Sequence, residues 1–108
     1  MRRRPRYAII YALEVARHVS AIDAKYHGLI RRTIQEQLRF VPGEPTRNRK
    51  PLEDQPGPFG ATWELRCGPT NQFRVFYEFT ADTRELWVLA IGVKHRARLF
   101  IAGEEFEP

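Results

Sequence analysis

Between Trp63 and Phe79 apolar and polar side chains alternate with a period of two, broken once by a short turn. Trp63, Leu65 and Cys67 share one parity, with Thr62, Glu64 and Arg66 on the other; past the turn, Val75, Tyr77 and Phe79 alternate with Arg74, Phe76 and Glu78. This periodicity predicts two half-buried strands. A hairpin centred on Thr70 sets Leu65 opposite Val75, Trp63 opposite Tyr77 and Arg66 opposite Arg74. One register then sorts both strands into an apolar face and a polar face. It also opposes two like charges directly, which is unfavourable in a sheet. A bound anion, or the nearby carboxylates of Glu64 and Glu78, would offset that repulsion.

Elsewhere the pattern changes period. Residues 6–12, rich in β-branched and aromatic side chains, predict a first strand. Val15, Ala16, Val19 and Ile22 form a helical stripe over 14–26, and Leu29 or Ile30, Ile34, Leu38 and Val41 another for a helix over about 29–40, with Gly28 marking the join of a helical hairpin. From 42 to 60 the chain turns to Pro, Gly, Asn and charge without periodicity, a long loop that Leu52 pins to the core. Residues 84–93 are apolar on both parities through LWVLAI and predict a central, buried strand. The segment 97–108 reads as a helical turn or a partner-dependent arm. The expected fold is a single α+β domain over 1–108: a small antiparallel-rich sheet in the order β-α-α-β-β-β, with the helical hairpin packed on one face. The polar face is expected to stay open, framed by the basic loop.

Composition sharpens this picture toward an anionic partner. The 108 residues carry a formal charge of +5, and all but three of the 18 basic side chains are arginine, whose planar fork suits bidentate phosphate recognition. A single cysteine, Cys67, excludes an internal disulfide and a multi-cysteine metal site and agrees with a reducing, cytoplasmic setting. Its parity and that of Tyr77 assign both to the core. The opening MRRRPR, a basic tail over 1–5, precedes an apolar run too short for a secretory signal, and no stretch is long enough to span a membrane. His18, His27 and His95 lack ligand spacing, so no metal and no other cofactor is expected. His18 and His27 fall on the helical hairpin and read as structural or solvent-facing.

The phrase RKPL before the loop, then WELR-x-G-x-x-x-x-FRVFYE and the downstream VLAIGVKHR, resembles the RelE/ParE toxin superfamily from Tyr7 to about Phe100. The resemblance implies the toxin of a type II toxin–antitoxin pair. In the RelE-like branch this is a metal-independent endoribonuclease that cleaves mRNA, commonly on the ribosome, and is neutralised by an acidic antitoxin. The alternatives are a ParE-like protein that inhibits DNA gyrase without chemistry of its own, or an inactive member serving as a binding module. Carried over by motif, the catalytic positions are Lys50, Arg66, Arg74 and Arg96, with His95 beside the last as an imidazole that titrates usefully for proton transfer. RNA contacts fall to Arg47, Arg49, Lys94 and Phe100. Phe100 stands where the branch often has a tyrosine: it can stack on a base but cannot move a proton.

Overall fold

The computed structural model describes residues 5–55 and 57–107, so the basic tail read at 1–5 lies outside the described residues except for Pro5. In chain order the elements are β1 (Ala8–Tyr11), α1 (Val15–Ser20), α2 (His27–Leu38), β2 (Arg49–Pro51), β3 (Trp63–Cys67), β4 (Phe73–Thr80), β5 (Glu85–His95), β6 (Arg98–Ile101) and β7 (Glu104–Glu105). Single 3₁₀ turns occupy Ala24–Tyr26 and Pro58–Gly60. The strands form one sheet in the order β2-β3-β4-β5-β6-β7, all neighbours antiparallel, while β1 joins β5 in parallel. The class is α+β, as the sequence pattern leads one to expect, but with more strands.

The extra strands come from segments without periodicity. β2 arises inside the 42–60 loop, where Lys50 pairs with Glu64 and Arg49 with Leu65. Its proline sits at the sheet edge, where no ladder donor is needed. The 97–108 tail is neither helical turn nor loose arm: it folds back as β6 and β7. The helical hairpin is also shorter and more broken than its stripe suggests. α1 stops at Ser20, whose hydroxyl donates to the Arg17 carbonyl at 2.8 Å. Asp23 then leaves helical geometry and accepts the Lys25 N–H at 3.0 Å, which restarts the chain as a 3₁₀ turn. Gly28 lies within α2 rather than at a join.

The hairpin register is the expected one: Trp63 faces Tyr77, Leu65 faces Val75 and Arg66 faces Arg74. Both helices pack on the apolar parity. Val15, Ile22, Ile30, Ile34 and Leu38 meet Leu65, Cys67, Val75, Tyr77, Leu86, Val88 and Ile91 in one buried cluster. Burial pushes the Cys67 thiol up to about 11, so it is an inert core side chain. The Tyr77 phenol, also raised by burial with Arg49 opposing in part, donates to the Pro42 carbonyl at 2.8 Å. β5 explains its own two-sided hydrophobicity. Phe76 pairs with Ala90 and Tyr77 with Val88, so Leu89 is an extra residue that shifts the parity of the strand. Val88 and Ile91 therefore both reach the helices.

β4 occupies one edge of β5 along most of its length, whereas β1 pairs with residues 85–88 and β6 with 92–95 on the other edge. His18, from α1, fills the gap between β1 and β6. Its Nδ1 accepts the Ile91 N–H at 3.3 Å, and Phe59 stacks on its ring at 5.5 Å between centroids. An accepting Nδ1 fixes the neutral tautomer with the proton on Nε2, which is buried without a partner among the described residues. Burial, helped by Arg17 and opposed by Glu14, holds this imidazole below its ordinary value of 6.5. The unfolded chain takes the proton first as pH falls, so the contribution is fully present above pH 6.5 and is lost below it, toward the depressed folded value. Urea midpoints measured from about pH 7.5 down to about pH 5 are expected to decline, and to decline less in His18→Gln.

Candidate functional site

The face of the sheet turned away from the helices, here the front, is built by strict alternation. Along one row lie Lys50, Glu64, Phe76 and Ala90; along the next lie Arg66, Arg74 and Gly92. Lys94 continues the same parity on β5 beyond Gly92, opposite Leu99 on β6. Glycine at 92 is required by close packing, because a Cβ there would sit 2.8 Å from Leu99 Cδ1 and 2.9 Å from the Phe100 carbonyl.

Glu64 is the centre of the charged part of this face. Its Oε1 accepts from Arg74 Nη1 at 2.9 Å, and its Oε2 lies 3.9 Å from Lys50 Nζ. The Glu64 and Arg74 side chains are only 7% and 13% exposed, whereas Lys50 is 55% exposed. Arg74 is held again by its Nε, which donates to the Asn71 carbonyl at 3.3 Å. The repulsion between Arg66 and Arg74 is thus met partly from within, by a carboxylate two residues along β3. Arg66 makes no ion pair among the described residues and is half-buried. Its backbone N–H donates to the Asn48 carbonyl at 2.7 Å, which ties β3 to a tight turn where Thr46 and Arg49 bond each other. Arg47 stands exposed at that turn. Lys50, Arg66 and Arg74 therefore share this face, with Lys94 farther along it and Arg47 exposed at the adjoining turn.

The remaining residues expected at the site lie elsewhere. Arg49 has the opposite parity to Lys50 and is buried, its Nε donating to the Glu44 carbonyl at 2.9 Å and its Nη1 to the Gln37 carbonyl. It anchors the loop to the end of α2 and is not part of the front face. His95 shares the parity of Val93, and Phe100 lies opposite Val93, so both belong to the helix side of the sheet. There, with His18, Ile22 and Ile91, they line a hollow of about 430 Å³. The bulge at Leu89 sets this parity, and it is invisible in a run that is apolar throughout.

Arg96 sits at the β5–β6 turn beside Ala97, both with positive φ, 51° and 68°. Such a two-residue turn favours Asn-Gly, and Ala97→Gly is expected to stabilise the fold by about 1 kcal/mol, raising the thermal midpoint by a few degrees.

The front is not wholly open. Phe76, Ala61, Ala90 and Ile101 form a second buried cluster, against which Leu52, Leu99 and Phe106 pack. Leu52 does pin the long loop, but to this front cluster, and the tail supplies the opposite wall.

The residue that sequence reasoning leaves out of the site is Glu64. Its polar parity is plain, but its partnership with Lys50 depends on β2, which has no periodicity to betray it. Among the described residues no three potential metal ligands cluster, and no helix is long and apolar enough to cross a membrane. No family model and no curated protein matches the chain.

Proposed function

We propose that the front face binds RNA phosphate and that the chain is a RelE-like toxin, an endoribonuclease that acts on mRNA, with the ribosome as the setting and an acidic antitoxin as its natural inhibitor. The observation that carries this reading is the opposition of Arg66 and Arg74 on the front face, with Arg74 and Lys50 held by one buried carboxylate, Glu64, and Arg47 exposed at the adjoining turn. Arg74 is neutralised by Glu64, whereas Arg66 opposite it makes no ion pair among the described residues, so a phosphate is electrostatically favoured there. Preorganised cations of this kind stabilise the charge that develops on a pentacoordinate phosphorane.

Cleavage follows from the same residues. The ribose 2′-hydroxyl loses its proton to Glu64 and attacks phosphorus; the P–O5′ bond breaks, and Lys50 protonates the departing oxygen. The products are a 2′,3′-cyclic phosphate and a 5′-hydroxyl end, with no net change in protons. In this scheme the Glu64–Lys50 pair takes the proton-transfer role that the sequence suggests for His95, because the latter lies on the other side of the sheet.

That same separation favours the ParE-like reading as the rival: no imidazole joins the arginines, which leaves binding without chemistry as an alternative. Induced expression of the wild type, Arg66→Ala and Glu64→Gln separates the two. The nuclease reading expects growth arrest and new 5′-hydroxyl mRNA ends with the wild type, and neither with the variants. Arrest with intact mRNA and inhibited gyrase supercoiling would replace it with the rival.

A further inference from the structure

The outer edge of β1 is unpaired over 9–11 among the described residues. The N–H groups of Ala8 and Ala12 donate to the Arg84 and Val88 carbonyls at 2.8 and 2.9 Å, so the even-numbered donors turn toward β5. The donors of Ile9 and Tyr11 therefore point the other way, and neither makes a backbone hydrogen bond among the described residues. The chain after α2 closes this edge only at Tyr7, whose N–H donates to the Arg39 carbonyl at 2.8 Å. An open edge is normally blunted by charge or proline. This one is fringed with apolar side chains instead. Of the six large apolar residues exposed among the described residues, five border it: Tyr11 and Leu13 at its far end, Phe40 and Val41 just past Arg39 at its start, and Trp87 opposite Ile10.

We infer that this edge pairs with the same edge of a second copy, giving a two-fold dimer with one continuous sheet. The occupant follows from the arrangement, which is complementary to itself. Antiparallel pairing sets an outward residue against an outward residue. Ile9 against Ile9 would bring Tyr11 to Tyr7, whose donor is already taken, and Tyr11 against Tyr11 would bring Ile9 to Leu13, beyond the strand. Ile9 against Tyr11 uses the free donors of both copies. That register sets Ile10 beside its own counterpart on the axis and turns Leu13 toward the second copy's Tyr7 and Phe40. It also brings Arg6 toward the second copy's Glu14, so opposite charges meet at both ends of the pairing. Neither Arg6 nor Glu14 makes an ion pair among the described residues. A short strand pairing with an apolar fringe lies at the small end of specific interfaces, so dissociation in the micromolar range is expected. The inference stands apart from the RNA reading, although the axis passes through the sheet and leaves both front faces looking the same way.

Sedimentation velocity of the full chain across the micromolar range tests it. A species of 12.7 kDa is expected to give way to one of twice that mass as concentration rises. Leu13 is 93% exposed, so Leu13→Lys leaves the fold intact and is expected to raise the dissociation constant roughly tenfold or more. Arg6→Glu and Glu14→Arg are each expected to weaken the dimer about fivefold, while the double swap Arg6→Glu/Glu14→Arg recovers most of that loss. Circular dichroism melts check that every variant is folded. A monomer at all concentrations, or a dimer that Leu13→Lys leaves as tight as before, overturns the proposal. A double swap no tighter than the single variants overturns the two-fold register on which it rests.

Discussion

Glu64→Leu is expected to destabilise the fold by about 3–5 kcal/mol, the loss that follows when one partner of a buried ion pair is removed. The leucine is similar in volume, so packing changes little; what is lost is the counter-charge of Arg74, whose side chain is 13% exposed. Lys50, at 55% exposure, loses little by comparison. Urea unfolding measures the effect as a fall in midpoint at constant slope. The double variant Glu64→Leu/Arg74→Met is expected to lose less than the sum of the single losses, because no charge is then stranded. A loss below about 1 kcal/mol in Glu64→Leu would place the pair among weak surface ion pairs and remove Glu64 from the centre of the site.

Arg66→Ala is expected to do the reverse. It removes a like charge directly opposite Arg74, so stability stays level or rises slightly. Its cost falls on binding: a charge-assisted bond to phosphate contributes about 1.5–3 kcal/mol, so affinity for single-stranded RNA is expected to drop roughly 10- to 150-fold. Stability and binding moving in opposite directions is the mark of a residue kept for its ligand. A loss of both together would make Arg66 a structural residue.

The contrast between these two arginines is half legible in the sequence. Strict alternation from Trp63 to Phe79 is enough to derive the Arg66–Arg74 pairing, because a one-residue slip would turn Leu65 and Val75 to solvent. The same rule yields the core roles of Cys67 and Tyr77. It fails where no pattern exists. β2 is three residues long and contains a proline, so the Lys50–Glu64 partnership leaves no trace. β6 and β7 are held by turns with positive φ at Arg96, Ala97, Ala102 and Gly103, only one of them a glycine. An uninterrupted apolar run hides the Leu89 bulge, and with it the side of the sheet that His95 and Phe100 occupy. Charge clustered near the end of a strand says little about which face it joins.

The central claim is that the front-face cations hold RNA phosphate, and the salt dependence of binding tests it most directly. With two to three phosphates neutralised, a plot of log affinity against log salt for a uridine hexamer is expected to have a slope of roughly −1.4 to −2.1, made shallower by about 0.7 in Arg66→Ala. A slope near zero, or one that Arg66→Ala leaves unchanged, would contradict the claim.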